Sequence, residues 1–324
     1  MTVKEIITEI VEKKKEAGGV REVYFVGCGG SLGAFYPAKI FLETEALSIR
    51  TGWYNSNEFV HNTPRILGKN SVVITASHRG DTPETVKAAQ AAKKAGATVI
   101  ALTWSSDSPI TKASDYVVSY TFGEEKDIGG EKTMVGLMAA VELLDQTEGY
   151  EHYDKFQDGV SRIDGIVKYA RKHVEKRAVA FAEEYKDDKV IYTMGSGAAY
   201  GAAYMESICI FMEMQWINSS SIHAGEFFHG PFEITDAESP FMIQISEGPA
   251  RELDERALSF LRKYAGRIEV LDAKDLGLST IDSSVVSYFN HSLFNNVYDV
   301  YNHALAGRRQ HPLSTRRYMW KVEY

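Results

Sequence analysis

The stretch VYFVGCGGSLGAFYPAKIFL, residues 23–42, contains the strand–turn–helix unit from which we infer the fold class. Val23–Val26 is a β-branched and aromatic run, typical of a buried strand, and Ala34–Leu42 has the pattern of a helix. Between them, Gly27–Ser31 forms a glycine-rich turn, which can hold a phosphate with backbone amides and the helix N-terminus. A plain tight turn is the alternative. The candidate phosphate-binding residues of this turn are Gly29, Gly30 and Ser31.

A second loop with phosphate-binding character, SHRGDTPET (residues 77–85), follows the apolar run Val72–Ala76. Pro83 suits the first turn of a helix, and a serine or threonine before it suits the helix cap. Capping would explain one hydroxyl group, but not three hydroxyl groups together with an arginine. We therefore expect the loop to bind phosphate, although simple exposure to solvent is the alternative for its histidine. The candidate residues are Ser77, His78, Arg79 and Thr82.

Strands and helices alternate along the first half of the chain. Further apolar runs at Thr98–Leu102 and Tyr116–Tyr120 read as strands, and they follow a helix that begins near Pro83 and runs to Lys94. Glu131–Leu144 then reads as a helix. This order predicts an α/β domain in which helices cover both faces of a parallel sheet.

The second half of the chain repeats the opening unit. Val190–Met194 reads as a strand, Gly195–Gly197 as a glycine turn and Ala198–Met214 as a helix. We therefore predict two domains, residues 1–150 and 151–324. The second turn adds two candidate substrate-binding residues, Gly195 and Ser196.

The remaining elements of the second half complete an α/β pattern. The junction between the domains falls near the helical stretch Phe156–Tyr185, so we expect packed halves rather than a flexible linker. Further strands are predicted at Trp216–Ser219, Phe241–Ser246 and Ile268–Leu271, and further helices at Leu253–Tyr264 and Val285–Ala306.

Composition narrows the class of function. The net charge is −8 and there is no extended run of Lys and Arg, which argues against nucleic acid or an anionic membrane as partner. No run of 18 apolar residues is present, and the N-terminal stretch lacks the pattern of a signal peptide. Cys28 and Cys209 lie in apolar segments, so we expect two buried free thiols. Free thiols are typical of a reducing compartment, so we expect a cytoplasmic protein. No metal-ligand spacing occurs, so we expect no metal site.

Phe211–Phe232, FMEMQWINSSSIHAGEFFHGPF, places titratable groups among apolar residues. It contains two acids, Glu213 and Glu226, and two histidines, His223 and His229. A carboxylate and an imidazole in a partly dry site can have their pKa values moved toward neutrality, which suits proton transfer. The alternatives are a glutamate that ends a helix paired with a lysine, and core histidines bonded to backbone carbonyls.

These motifs together resemble those of double SIS (sugar isomerase) domain proteins. The segment GEFFHGPFE (residues 225–233) is also similar to the GELKHGP segment in the isomerase domain of glucosamine-6-phosphate synthase. The resemblance covers nearly the whole chain, and it implies two flavodoxin-like, doubly wound domains of three αβα layers that bind a phosphosugar. The motifs are GCGGS (27–31), SHRGDTPET (77–85), the Ser108-Pro109 turn and the second GSG (195–197).

The resemblance is closer to SIS deglycases, including fructoselysine-6-phosphate deglycase, which break down phosphorylated Amadori products. FMEMQWI (211–217), FNHSLFNNVY (289–298) and RRYMWKVEY (316–324) are similar to the fructose-asparagine branch. That resemblance implies hydrolysis of a 6-phosphofructosyl amino acid, with 6-phosphofructosyl-aspartate the first choice, to glucose 6-phosphate and the free amino acid. No cofactor is implied.

The resemblance also implies roles for single residues. Glu213 would carry a proton between C1 and C2, and His229 would act as general acid or base for ring opening and the leaving group. Glu226 is the alternative base or would orient the imidazole, and Lys321 in the tail 308–324 is the nearest counterpart of the synthase's Schiff-base lysine. The phosphate-binding hydroxyls fall on Ser31, Ser77 and Thr82, with Arg79 standing where the synthase has a serine.

Two other functions remain open. An aldose–ketose isomerase of an aminosugar phosphate would use the same glutamate and histidine but release no amine. A phosphosugar sensor would bind without turnover, although sensors of this family usually carry a basic helix-turn-helix domain, which the sequence does not show. In this family the catalytic histidine often enters a neighbouring subunit's site, so we expect a homodimer with shared sites.

Overall fold

The computed structural model describes residues 1–123 and 127–323, so the last residue of the predicted tail, Tyr324, lies outside the described residues. The chain divides into two compact units, Met1–Val160 and Ser161 to the C-terminus. The division falls within one long helix, Tyr153–Tyr185. In the described residues, no helix is both long enough and apolar enough to cross a membrane.

The first unit contains a five-stranded parallel sheet in the order β2-β1-β3-β4-β5. This order is that of the flavodoxin-like doubly wound fold, as predicted. The chain therefore leaves β1 toward one edge and returns on the other side of it. The strands are β1 (Glu22–Gly27), β2 (Arg50–Asn55), β3 (Ser71–Ala76), β4 (Thr98–Thr103) and β5 (Tyr116–Ser119).

Helices cover both faces of this sheet because successive strand residues point to opposite sides. Tyr24 and Val26 pack with Phe59 of α4 and with alanines of α5, whereas the ring of Phe25 lies against that of Phe35. The helix predicted at 34–42 begins at Tyr36 and runs to Glu45, after a separate single turn, Gly30–Gly33. The helices are α1 (Val3–Lys15), α2 (Gly30–Gly33), α3 (Tyr36–Glu45), α4 (Ser56–His61), α5 (Pro83–Lys94), α6 (Pro109–Ala113), α7 (Lys132–Glu148) and α8 (Tyr153–Tyr185).

The second unit contains a four-stranded parallel sheet in the order β7-β6-β8-β9. Its core joins the strands to α10 and to the buried ring of Phe227. The predicted helix 285–306 is a short 3₁₀ turn, Val286–Phe289, followed by an α-helix that runs to Arg309. The elements are β6 (Val190–Gly195), α9 (Tyr200–Met205), β7 (Asn218–His223), β8 (Pro240–Ile245), α10 (Arg251–Tyr264), β9 (Arg267–Asp272) and α11 (Asn290–Arg309).

The segment between β6 and β7 departs from the predicted continuous helix. A 3₁₀ turn and α9 are followed by nine residues of π-helix, Glu206–Met214, which closes with a hydrogen bond from the Gln215 amide to the Ile210 carbonyl at 2.8 Å. The strand predicted at 216–219 begins two residues later, because Trp216 adopts a left-handed backbone with φ of 56°. A bulky residue in that conformation is unusual and marks a sharp turn.

Candidate active site

The two predicted phosphate loops leave neighbouring strands at the same edge of the first sheet. β1 ends at Gly27 and β3 at Ala76, and these two residues are register partners. The chain runs to opposite sides of β1 after these strands, so the loops flank the topological switch point of the sheet. In open α/β sheets, ligands bind at that point.

Two hydroxyl groups of the second loop lie together. Ser77 Oγ is 2.9 Å from Thr82 Oγ1, and Ser77 is buried. Thr82 occupies the cap position of α5, yet its side chain makes no capping hydrogen bond. Capping therefore does not account for this hydroxyl, which remains available to an anion beside the first amides of the helix.

Gly80 fixes the shape of this loop. Its φ is 72°, and a Cβ atom built there would lie 2.0 Å from Ser108 Oγ. The Ile110 amide donates to the Gly80 carbonyl at 2.9 Å. The loop is thus packed directly against the turn that opens α6, which explains why glycine is required at this position.

Lys132 joins the first loop from the start of α7. Its ammonium group donates a hydrogen bond to Ser31 Oγ at 3.1 Å and lies 5.7 Å from the centre of the Tyr120 ring. Sequence reasoning treated Lys132 only as part of a helix start. A cation that follows the glycine pair 129–130, at the carboxyl edge of a parallel sheet, is the signal that could have identified it.

His78 and Arg79 have different surroundings although they are adjacent. The His78 ring packs against Trp104 and Phe122, with centroids 5.6 and 4.4 Å away, and its Nδ1 is 2.9 Å from the Tyr120 hydroxyl. Burial lowers the pKa of His78, and nearby positive charges lower it further, so the imidazole is neutral at pH 7. Arg79 faces solvent beside Asp81, with 54% of its side chain exposed.

In the second unit, Glu213 lies near the end of the π-helix and is paired with the C-terminal tail. Its Oε1 is 2.8 Å from a guanidinium nitrogen of Arg316. Burial raises the pKa of Glu213 above its ordinary value, and the Arg316 charge opposes this rise. A half-buried carboxyl group with a raised pKa is a candidate for proton transfer.

The turn after β7 carries the other predicted groups. His229 and Glu226 are exposed, and the His229 amide donates to the Glu226 carbonyl at 2.9 Å. In the part of the chain that the structure describes, no hydrogen bond or ion pair joins Glu213 to His229. His223 Nδ1 accepts a hydrogen bond from the Gly225 amide at 3.1 Å and so orders this turn.

The second glycine turn is occupied by internal contacts. The Ser196 hydroxyl is buried and donates to Asp254 Oδ1 at 2.6 Å, and burial raises the pKa of Asp254 to about 6. A Cβ atom on Gly195 would lie 2.6 Å from the Gln244 side chain. Lys321 is exposed and donates to the Arg316 carbonyl at 2.6 Å. Among the described residues, no cluster of His, Cys, Asp or Glu could hold a metal ion.

Comparison with known proteins identifies the family of this chain. The SIS domain model matches residues 20–144. Fructosamine deglycase FrlB of Bacillus subtilis (strain 168) is 43% identical over 305 residues, which cover 94% of this chain and 93% of that protein. The chain belongs to the SIS family. The resemblance to SIS domain proteins and to deglycases of that family, inferred from the sequence motifs, is therefore confirmed.

Two other relatives extend this comparison. Fructoselysine 6-phosphate deglycase of Escherichia coli O157:H7 is 28% identical over 271 residues, which cover 82% of this chain and 76% of that protein. A crystal structure from Salmonella typhimurium LT2, of a protein described as a phosphosugar isomerase, has a TM-score of 0.97 at 49% identity. The match covers 100% of this chain and 96% of that chain, so the two proteins share the fold over that length.

Proposed function

We propose that this SIS protein hydrolyses 6-phosphofructosyl amino acids, with 6-phosphofructosyl-aspartate as the first candidate, to glucose 6-phosphate and the free amino acid. The coarser statement, an enzyme that cleaves the C–N bond of a phosphorylated ketosamine, is supported by 43% identity to a fructosamine deglycase over nearly the full chain. The structural observation that supports the proposal is the half-buried Glu213 carboxyl, whose pKa is raised by burial.

The first unit would bind the phosphate group of the substrate. Ser31, Ser77 and Thr82 offer hydroxyl groups at the switch point, and Lys132 adds a positive charge beside Ser31. Hydrogen bonds between an ammonium group and a phosphate oxygen are charge-assisted and strong. The side-chain contacts of the other candidates reduce the number of proposed substrate-binding residues. Gly195 and Ser196 are in contact with other residues of the second unit, and Arg79 remains a solvent-exposed candidate for binding phosphate.

The second unit would supply the acid–base groups. In its ionised form, Glu213 removes a proton from C1 of the open-chain ketosamine while an acid delivers a proton to the C2 oxygen, and an enaminol results. The protonated Glu213 then returns the proton to C2, which gives an imine at C1, and water hydrolyses this imine so that the amino acid leaves. His229, exposed on its turn, would protonate the ring oxygen during opening and assist the departing nitrogen.

A substrate panel tests the proposal. The purified protein is incubated with 6-phosphofructosyl derivatives of aspartate, asparagine and lysine, and glucose 6-phosphate and free amino acid are both quantified. We expect the two products in equal amounts, with the aspartate derivative turned over fastest. An isomerised sugar phosphate without free amino acid would favour the isomerase, and binding without turnover would favour a sensor. A faster reaction with the lysine derivative would overturn the aspartate assignment alone.

A further inference from the structure

The C-terminal tail is anchored beside the helix that carries Glu213. Gln215, two residues after Glu213, donates from its side-chain amide to the His311 carbonyl at 2.8 Å. The strained Trp216 meets the His311 ring edge-on, with centroids 4.7 Å apart, and the Arg317 guanidinium lies 4.1 Å from the centre of the Trp216 ring. The unusual backbone of Trp216 therefore serves to hold the tail.

This anchoring places Arg316 in a fixed position. Its side chain is only 9% exposed. One guanidinium nitrogen donates to the carbonyls of Leu313 and Thr315, each at 2.8 Å, and the other contacts Glu213 Oε1 at 2.8 Å. The guanidinium is therefore held by three oxygen acceptors, as its planar fork of donors permits. A flexible ion pair on the surface would not need an arginine side chain that is also held by two backbone carbonyls.

We propose that Arg316 is a positioning residue of the reaction, which fixes one oxygen of Glu213 and favours the ionised carboxylate, so that the other oxygen can take the substrate proton. The inference rests on the proposed function of Glu213. In the described chain, Oε2 of Glu213 makes no hydrogen bond, so this is the oxygen left for C1 and C2.

The surrounding charges support this assignment. Burial raises the pKa of Glu213, and within residues 1–123 and 127–323 the charge that counteracts it is that of Arg316. The neighbouring tail cations are engaged elsewhere: Arg317 lies over Trp216, and Lys321 donates to a backbone carbonyl. Without Arg316, burial acts unopposed and the pKa of Glu213 rises further. The reaction needs ionised Glu213, so the acid limb of activity moves to higher pH.

The test is the dependence of kcat/KM on pH, measured with the fastest substrate of the panel. Arg316→Gln removes the charge but retains amide donors for the tail carbonyls. We expect its acid limb to lie roughly 1–3 pH units above that of the wild type, because an adjacent opposite charge shifts a carboxyl pKa by that amount. Arg316→Lys should show a smaller displacement in the same direction, because an ammonium cannot hold all three oxygen acceptors at once.

Two controls separate the inference from its premise. Arg308→Ala removes an equal charge from an exposed pair with Glu183 and should leave the profile unchanged. Glu213→Gln should abolish turnover; if it does not, the proposed function fails. If Glu213→Gln is inactive but Arg316→Gln loses activity equally at every pH, Arg316 is merely structural and the inference is overturned. If Arg316→Gln does not fold, an unchanged acid limb in Arg316→Lys overturns it.

Discussion

Replacing Lys132 by methionine should weaken substrate binding without slowing the chemical step. The ammonium group lies 3.1 Å from Ser31 Oγ, a predicted phosphate ligand, and methionine keeps the length of the side chain but not the charge. A hydrogen bond to a charged group contributes roughly 1.5–3 kcal/mol, and each 1.4 kcal/mol is a tenfold change, so kcat/KM should fall about ten- to hundredfold. The loss should appear in KM, because the phosphate is bound equally in the ground and transition states.

The assay couples glucose 6-phosphate formation to its dehydrogenase over a range of substrate concentrations. Inhibition by glucose 6-phosphate, followed without the coupling enzyme through release of the free amino acid, gives a second measure of phosphate binding, and its inhibition constant should rise with KM. Lys112→Met is the matched control, because Lys112 forms an exposed pair with Asp107 in the same unit. A Lys132→Met enzyme with normal KM and a lowered kcat would refute a role in phosphate binding.

Three further predictions concern stability and assembly. Gly80→Ala, which places Cβ 2.0 Å from Ser108 Oγ at a φ of 72°, should lower the free energy of unfolding in urea by roughly 2–4 kcal/mol; an unchanged midpoint would contradict this. Burial raises the pKa of Glu206 to about 8, so the folded state holds this proton more tightly than the unfolded chain. The free energy of unfolding of the wild type should therefore decrease as the pH rises from about 5 to about 8. Glu206→Gln should flatten that fall; an equal slope in both proteins would contradict the assignment. Inactive Glu213→Gln and His229→Asn chains, refolded together, should recover roughly a quarter of wild-type activity if each site of a homodimer uses both subunits, whereas no recovery would place both groups in one subunit.

The sheet class could be predicted because its strands are strongly patterned. β1, β3 and β4 are nearly continuous apolar runs, as strands covered on both faces must be. Sequence reasoning missed β2, because RTGWYN is an edge strand with partly exposed side chains and an internal glycine. Its short strand signal is weak, and it becomes evident only through its register with β1.

The candidate site could be predicted where its residues are close together in the sequence, and not where the contacting residues are far apart in the sequence. Ser77 and Thr82 lie in one loop, so their contact follows from sequence. Lys132 reaches Ser31 across 101 positions of sequence, and Arg316 reaches Glu213 across a similar interval, so no local pattern predicts either pair. The start of β7 was misplaced because the left-handed conformation of Trp216 is stabilised by tail contacts that the local sequence does not contain.

Glu213 is the proposed proton carrier of a C–N bond cleavage. Wild-type protein and Glu213→Gln are each incubated with 6-phosphofructosyl-aspartate, and glucose 6-phosphate and aspartate are quantified over time. The wild type should release both in equal amounts, and the variant should be slower by at least about a hundredfold, the lower range for a lost general base. Near-normal release by the variant, or a wild-type reaction that yields sugar phosphate without aspartate, would contradict the account.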